Sequence, residues 1–259
     1  PFSMTQADLQ FEATDRTAVK LNSSGQYVEW TTSAAGQGMV IRYSMPDAPN
    51  GGGLNGSLAL YINGNFHSNI DLTSKWAYNY FDNVNSGDPN LPRNEPGTNR
   101  TIRMRYDEKR IKLDQSYPQG TTFRLERNAA SGSIAYYIVD FMELEPIPAP
   151  VAFNAATMIS VEDFGAVKND GSSDTQPFVN AVNSARTSGK TLYIPEGVWD
   201  LSFKLSIGHD ITIQGAGMWY SELHFLQGTP SAGGISADGG NVHVSDLYLT
   251  TENTNRTSD

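Results

Sequence analysis

The sequence has 259 residues, with 18 lysine and arginine residues against 28 aspartate and glutamate residues. The net charge of −10 excludes the usual kind of nucleic-acid binder, because phosphate contacts need clustered basic residues. The absence of cysteine excludes disulfides, thiolate metal sites and cysteine nucleophiles. No run of about 18 apolar residues is present, so no membrane-spanning helix is expected.

Residues 1–148 are predicted to form a β-sandwich. Segments rich in β-branched and aromatic residues recur along this part, and several alternate apolar and polar residues with period two; examples are "GQYVEWTT", "MVIRYSM", "SLALYING" and "IAYYIVDFMELE". Turn-forming stretches such as "PDAPNGGG" and "INGN" separate them, and no helical period is sustained. Short strands punctuated in this way are typical of two packed antiparallel sheets.

Residues 149–158 are predicted to be a linker. The boundary falls in "EPIPAPVAFNAATM" at 145–158, where Pro146, Pro148 and Pro150 remove backbone donors and hold the chain extended.

Residues 159–259 are predicted to begin with one helix, near 175–188, and to continue as a parallel β-helix. Asp174 suits the N-cap, Pro177 suits the first turn and Gly189 follows the end. Only short apolar runs separated by glycines come afterwards, and their spacing fits no regular series of hairpins. Short strands of this kind suit stacked parallel sheets, in which each coil contributes one strand to each sheet.

The start of this second part resembles the entry into the pectate-lyase-like right-handed β-helix superfamily. The resemblance rests on "DFGA" at 163–166, "DG" at 170–171, "DT" at 174–175 and the Tyr193, Pro195 and Gly197 of "YIPEG". The segment "ITIQGAGMWYSEL" resembles the coil that follows. The superfamily contains lyases, hydrolases, epimerases and phage tailspikes, so this match indicates fold rather than chemistry.

The first part resembles a carbohydrate-binding-module-like sandwich that precedes the β-helix in bacterial α-1,3-glucanases and mycodextranases. The resemblance rests on "IRYSMPDAPNGGGLNGSLALYING", "RYDEKRIKLDQSYPQGTTFRLER" and "AYYIVDFMELEPIP". It implies an all-β chain, a jelly-roll-like sandwich followed by the first coils of the β-helix. It also implies a secreted, endo-acting and inverting hydrolase of fungal-wall-type α-glucan, without a catalytic cofactor.

No catalytic residue is assigned within this chain. In the resembled family the catalytic aspartates lie in later coils, and only about three coils fit after Leu192. The final segment "VHVSDLYLTTENTN" is expected to leave an open sheet edge. We therefore expect the continuation of the enzyme to pack on this edge as a second chain, after a cut at the polar segment that ends at Asp259.

Four residues are candidates for substrate contact. Trp76, Tyr78 and Tyr80 alternate with period two and are expected to share one face, either as an exposed row that stacks on sugar rings or as part of the sandwich core. Asp246 is expected to face a groove of the β-helix.

Glu12 and Asp140 are the candidate metal ligands. In related carbohydrate-binding modules an acidic residue of the first strand and an aspartate of the last share a structural calcium ion, which prefers oxygen ligands. Thr14 replaces the second acid that those modules carry on the first strand. The alternative is two solvated acids at strand ends.

Two other functions stay open at this point. The first is a carbohydrate-binding module without catalysis. The second is a β-helix polysaccharide lyase or a tailspike-like adhesin. A lyase needs a basic residue to remove a proton, and the five basic residues of the second part are scattered.

Overall fold

The computed structural model describes residues 12–49, 51–82, 92–93, 100–226 and 233–252, and its described side chains exclude those of 79–82, 92–93 and 100–103. The chain divides into two compact units, Pro1–Ile147 and Pro148–Asp259. Each unit has its own hydrophobic cluster, and the two are described in turn.

The first unit is built from antiparallel sheets. Its strands are β1 Val19–Leu21, β2 Tyr27–Thr31, β3 Gly36–Ser44, β4 Asn55–Ile62, β5 Asn65–Thr73, β6 Tyr78–Asp82, β7 Pro92–Arg93, β8 Arg100–Met104, β9 Asp107–Tyr117, β10 Thr122–Glu126 and β11 Tyr137–Glu145. Two four-stranded sheets, ordered β1-β11-β3-β9 and β2-β10-β4-β5, supply the main core, and a small sheet is ordered β7-β6-β8. The predicted β-sandwich is thereby confirmed.

The core of this unit follows from the period of two along its strands. In β10, Phe123 and Leu125 are completely buried, whereas the intervening Thr122, Arg124 and Glu126 are partly exposed. Successive side chains of a strand point to opposite faces, so one sequence pattern supplies both a core and a solvated face. Burying a phenylalanine or leucine in this way contributes about 1.5–3 kcal/mol per side chain.

The second unit is a parallel β-helix. Its strands are β12 Met158–Ser160, β13 Thr191–Ile194, β14 Gly197–Leu201, β15 Leu205–Ile207, β16 Ile211–Gly215, β17 Ser221–Phe225, β18 Ile235–Ala237, β19 Val242–Ser245 and β20 Tyr248–Thr251. They form three parallel sheets, ordered β12-β13-β16-β19, β14-β17-β20 and β15-β18. The chain visits the three sheets in turn on each coil, which confirms the predicted β-helix.

Equivalent apolar residues of successive coils stack inside the β-helix. Trp199 pairs in register with Leu223, which pairs in turn with Leu249. Trp199 and Leu223 are completely buried, but Leu249, in the last described coil, is 47% exposed. Val244 occupies the corresponding position after Ile213 in the neighbouring sheet and is 37% exposed. In the last described coil, apolar side chains are therefore exposed at positions whose equivalents in the preceding coil are buried.

The helix α1, Thr175–Ser188, confirms the predicted helix. Its apolar face, Phe178, Ala181, Val182 and Ala185, is buried, whereas Val179 is 37% exposed, and the helix ends at Gly189 in the left-handed conformation, with φ 65°. Asp174 precedes the helix as predicted, but its carboxylate does not cap it: Oδ1 accepts a hydrogen bond from the Val167 N–H at 2.8 Å. Within the described ranges, no helix is long and apolar enough to cross a membrane.

The proline-rich segment predicted as a linker lies at the start of the second unit and is hydrogen-bonded to the coils of the β-helix. The Val151 N–H donates to the Ala216 carbonyl at 2.8 Å, and the Tyr193 hydroxyl donates to the Val151 carbonyl at 2.6 Å. The Lys190 ammonium donates to the Ala155 carbonyl at 2.7 Å. These contacts hold residues 151–155 in place, although no strand forms before β12 begins at Met158.

Candidate functional site

The predicted metal ligand Asp140 is surrounded by hydrogen-bond donors. Its side chain is 1% exposed and pairs with the guanidinium of Arg42. The backbone N–H of Thr14 donates to both carboxylate oxygens at 3.1 Å, and the Thr14 hydroxyl donates to Oδ2 at 3.2 Å. Hydrogen bonds to an ionised carboxylate are the strong ones, so this cluster fastens the segment before β1 to the last strand.

This arrangement does not fit a calcium ion. Calcium needs several oxygen acceptors, whereas the Asp140 carboxylate already faces a cation and a backbone donor. Glu12 is exposed. Burial raises the pKa of Tyr106 to about 12, and the negative charges of Asp140 and Glu12 add to this increase. Both acids therefore lie close enough to Tyr106 to act on its hydroxyl. Among the residues that the structure describes, no group of three or more His, Asp or Glu side chains could hold a metal.

The three aromatic candidates do not form one exposed row. Tyr78 is 7% exposed, and its hydroxyl donates to the Met45 carbonyl at 2.9 Å inside a second apolar cluster of the first unit. Tyr78 is therefore packed in a buried cluster, which is one of the two alternatives that the sequence left open for it. Trp76 is partly buried in the turn before β6, with the Lys75 ammonium 5.0 Å from its ring centroid. Tyr80 lies on β6, but its side chain is outside the described residues.

Asp246 lies in the turn between β19 and β20, and it is exposed. Its φ of 58° is in the left-handed region, which aspartate tolerates better than most residues. Oδ2 accepts a hydrogen bond from the Gln214 side chain at 2.9 Å, and its carbonyl accepts one from the Gly217 N–H at 3.1 Å. These bonds give Asp246 a role in joining coils, and its contact with a sugar stays a prediction.

The outer face of the sheet β14-β17-β20 carries a polar ladder, formed by Asp200, Glu222, His224 and Thr250. Asp200, His224 and Thr250 occupy equivalent positions in three successive coils, because their strands pair in register. The Nδ1 atom of His224 lies 2.7 Å from Oδ1 of Asp200, whose side chain is only 7% exposed. The Thr250 hydroxyl donates to the Glu222 carboxylate.

The contact with Asp200 indicates which nitrogen of the His224 ring donates a hydrogen bond. An ionised carboxylate only accepts hydrogen bonds, so Nδ1 carries the proton that is donated to Asp200. The other nitrogen, Nε2, lies 3.7 Å from the carboxylate of Glu252. The imidazole therefore lies between two acids that belong to the coils on either side of its own.

Hydrogen bonds to residues at the N-terminal end of α1 hold the backbone around Asp200 in place. The Asp200 carbonyl accepts the Asp174 N–H at 2.7 Å, and the hydroxyl of Thr175 accepts the Ser202 N–H at 2.8 Å. The side chains of Trp199 and Leu201 point into the core, so Asp200 points outward. This polar ladder offers carboxylate, imidazole and hydroxyl groups on a rigid sheet, which is chemistry suited to binding a polyhydroxylated ligand.

Sequence reasoning missed the polar ladder for a geometric reason. Asp200 and His224 are 24 positions apart, and His224 and Thr250 are 26 apart, because consecutive coils differ in length. A repeat of constant length would have revealed the alignment. Because the coils differ in length, the sequence indicated only that a polar residue between two apolar residues of a strand points outward. It did not indicate which polar residues of different coils are neighbours.

A second polar feature is an open groove of about 400 Å³ beside the end of α1. Its charged and polar lining includes Arg186, Lys190, Asp210, Thr212 and His243. Asp210 is already engaged, since Oδ1 accepts the Asn241 N–H at 2.6 Å. The lining contains no Phe, Tyr or Trp side chain, so the groove lacks a large stacking surface for a sugar ring.

The fold and these surfaces define a modular protein in which an antiparallel β-sandwich precedes a parallel β-helix with a polar outer face. A family model described as alpha-1,3-glucanase catalytic domain D1 matches residues 2–147. A second model, described as rhamnogalacturonase A/epimerase, pectate lyase-like, matches residues 158–258. The chain belongs to the family of alpha-1,3-glucanase catalytic domains.

Solved structures agree with this assignment. The Agl-KA catalytic domain is 35% identical, with a TM-score of 0.78, over 95% of this chain and 42% of that one. A GH87 alpha-1,3-glucanase catalytic domain in complex with nigerose is 26% identical, with a TM-score of 0.73, over 98% of this chain and 43% of that one.

The catalytic unit of a thermostable GH87 alpha-1,3-glucanase from Streptomyces thermodiastaticus strain HF3-3 is 27% identical. Its TM-score is 0.73, over 97% of this chain and 41% of that one. The chain thus spans less than half the length of these solved structures. No curated protein matches it.

Proposed function

We propose that this chain is the N-terminal part of a secreted, endo-acting hydrolase of α-1,3-glucan. The observation that carries the proposal is the agreement of both units, in the same order, with alpha-1,3-glucanase catalytic domains over 95% of the chain. Aspartate-to-alanine variants of one such domain were crystallised with nigerose and with tetrasaccharides. An α-glucan such as that of fungal walls is accordingly the proposed substrate.

We place the catalytic aspartates outside this chain. Glycoside hydrolysis needs two carboxyl groups that are free to act on the scissile bond, one as acid and one as base or nucleophile, and it needs no further cofactor. At least seven described carboxylates of the second unit instead accept hydrogen bonds within the fold. They are Asp163, Asp170, Asp174, Asp200, Asp210, Glu222 and Asp246.

The same proposal accounts for the exposed apolar surface of the last described coil. Val244 and Leu249 occupy core-facing positions yet are 37% and 47% exposed. Further coils stacked on β19 and β20 would bury these side chains, just as β16 and β17 bury the equivalent side chains of β13 and β14. We propose that these coils carry the catalytic aspartates, whether they belong to the same chain or to a second one produced by cleavage.

The polar ladder is then the contribution of this chain to substrate binding or to the shape of the coils beside the catalytic centre. Asp200 and His224 are held rigidly by neighbouring coils, so hydroxyl groups of a glucan would meet a preformed surface. Trp76 and Asp246 stay as proposed sugar contacts, each at an exposed or partly exposed turn.

The test compares the 259-residue chain with the longest native protein that contains it. Both are incubated with insoluble α-1,3-glucan, and reducing ends and oligosaccharides are measured by chromatography. We expect release of nigero-oligosaccharides by the longer protein and none by the chain alone. Nigeran, a mixed-linkage glucan, is assayed in parallel to distinguish an α-1,3-glucanase from a mycodextranase, with polygalacturonate and dextran as negative controls.

Three results would contradict the proposal. Hydrolysis by the chain alone would place catalytic carboxylates within it. Unsaturated products that absorb in the ultraviolet would indicate a polysaccharide lyase. Glucan binding by the longer protein without any product would indicate a binding module.

A further inference from the structure

An aromatic face lies on the outer side of the sheet β2-β10-β4-β5 in the first unit. It consists of Tyr27, Tyr61, Phe66 and the guanidinium of Arg124. Tyr27 and Phe66 are 52% and 55% exposed, although aromatic side chains usually bury their large apolar area. The buried Phe123 and Leu125 lie on the opposite side of the same sheet and face the core. The aromatic rings therefore point away from the core.

Strand pairing holds the four side chains together. Arg124 of β10 pairs in register with Tyr61 of β4, and Tyr61 pairs with Phe66 of β5. The rings of Tyr61 and Phe66 contact edge to face, with centroids 5.7 Å apart and an interplanar angle of 76°. The Arg124 guanidinium lies 4.3 Å from the centroid of Tyr61 and 5.0 Å from that of Tyr27. One cation therefore links two phenol rings across the sheet.

Polar groups surround the aromatic face. Glu29 is exposed directly opposite Arg124, and a carboxylate oxygen of Glu126 lies 3.5 Å from the Arg124 guanidinium. Asn69 is exposed on β5, the strand that carries Phe66. The buried Nε of Arg124 has no hydrogen-bond partner among the described residues. The rim thus offers carboxylate and amide groups around a flat apolar centre.

We propose that the aromatic face is a glucan-binding surface of the first unit. A pyranose ring has an apolar C–H face that packs on aromatic rings and hydroxyl groups that bond to carboxylates and amides. A polyanion is disfavoured, because Glu29 and Glu126 lie beside the Arg124 guanidinium and the chain carries a net charge of −10. The choice of α-1,3-glucan as the glucan rests on the proposed function.

The role of such a surface follows from the nature of the substrate. A glucan chain held at the sandwich is confined near the β-helix by the covalent connection between the units. Confinement raises the effective concentration of the glucan at the second unit without any new contact there. The aromatic face would therefore matter most on insoluble substrate and least on short oligosaccharides.

The test measures binding by the 259-residue chain. Sedimentation with insoluble α-1,3-glucan and calorimetric titration with nigerotetraose are applied to wild type, Tyr27→Ala, Phe66→Ala and the double variant. We expect about tenfold weaker binding by the double variant, which corresponds to about 1.4 kcal/mol, because two ring contacts with the sugar are lost. Phe203→Ala is the matched control, because Phe203 is 54% exposed but lies in the second unit.

Several results would contradict the proposal that the aromatic face binds glucan. Unchanged binding by the double variant, equal loss in the Phe203→Ala control, or no binding by wild type would overturn the inference. So would a wild-type dimer that Phe66→Ala dissociates, because a second copy would then be the occupant. Thermal unfolding checks that the variants stay folded. Hydrolysis by the longer protein is scored separately, so the proposed function can fail or stand independently of this surface.

Discussion

Replacing His224 by alanine is the sharpest test of the polar ladder. The substitution removes the donor that lies 2.7 Å from Oδ1 of Asp200. The Asp200 side chain is 7% exposed, so water can replace the lost donor only in part. The folded state then holds a nearly buried carboxylate without its partner, which is a recognised cause of large destabilisation.

The expected loss is about 1–3 kcal/mol in the free energy of unfolding, the usual cost of a buried group left unsatisfied. The upper values quoted for fully buried ion pairs do not apply, because the His224 side chain is 23% exposed. For a unit of about 100 residues this corresponds to a decrease in Tm of about 4–12 °C.

The assay is thermal and chemical unfolding of wild type and variants, followed by circular dichroism. His243→Ala is the matched control, because His243 also points outward from a strand of the β-helix but is exposed. We expect it to change the stability by less than about 0.5 kcal/mol. Adding Asp200→Asn to His224→Ala should recover part of the loss, since a neutral amide is less costly to bury than a charge.

Equal stabilities of the His224→Ala and His243→Ala variants would refute this reasoning. The contact between His224 and Asp200 would then be a surface contact of no energetic consequence. A double variant less stable than His224→Ala alone would also contradict it, because the orphaned charge would not be the source of the loss.

Three further predictions concern the core, a close backbone approach and pH. Trp199→Ala should cost about 3–5 kcal/mol, and Trp199→Phe less, because the indole is completely buried and its Nε1 donates to a carbonyl; urea unfolding measures both. Gly215→Ala should lower the Tm strongly, since a Cβ there would lie 2.1 Å from the Asp246 carbonyl oxygen, whereas Gly208→Ala meets nothing within 4 Å and serves as its control. Burial raises the pKa of Asp174 above its ordinary 3.8, so its proton stabilises the fold at acid pH and this stabilisation is lost as the pH rises through the raised pKa. Asp174→Asn should therefore gain stability relative to wild type between acid and neutral pH in urea unfolding, and an unchanged difference would contradict the burial argument.

The family assignment and most of the architecture were within reach of the sequence, because they depend on local patterns. The helix α1 was predicted at its observed bounds, because its preceding aspartate, its apolar face and its terminal glycine all lie within one short stretch of sequence. The strands of both units likewise follow from alternation and turn residues. The buried positions of the β-helix core, such as Trp199, follow from the same alternation.

The roles of individual aromatic and acidic residues were decided by the tertiary structure. Tyr78 and Phe66 both lie in strands, yet one is 7% exposed and the other 55%. Alternation separates the two faces of a strand but does not tell which face meets another sheet. Asp140 was predicted to bind calcium, and only the fold shows that its carboxylate pairs with Arg42, 98 positions away in the chain.

The polar ladder shows the same division most clearly. Its residues are separated by coils of unequal length, so nothing in the order of amino acids marks Asp200 and His224 as neighbours. Local sequence determines that each strand forms and which of its residues alternate. Only the closure of each coil, through turns of different length, determines the register that brings a carboxylate of one coil against the imidazole of the next.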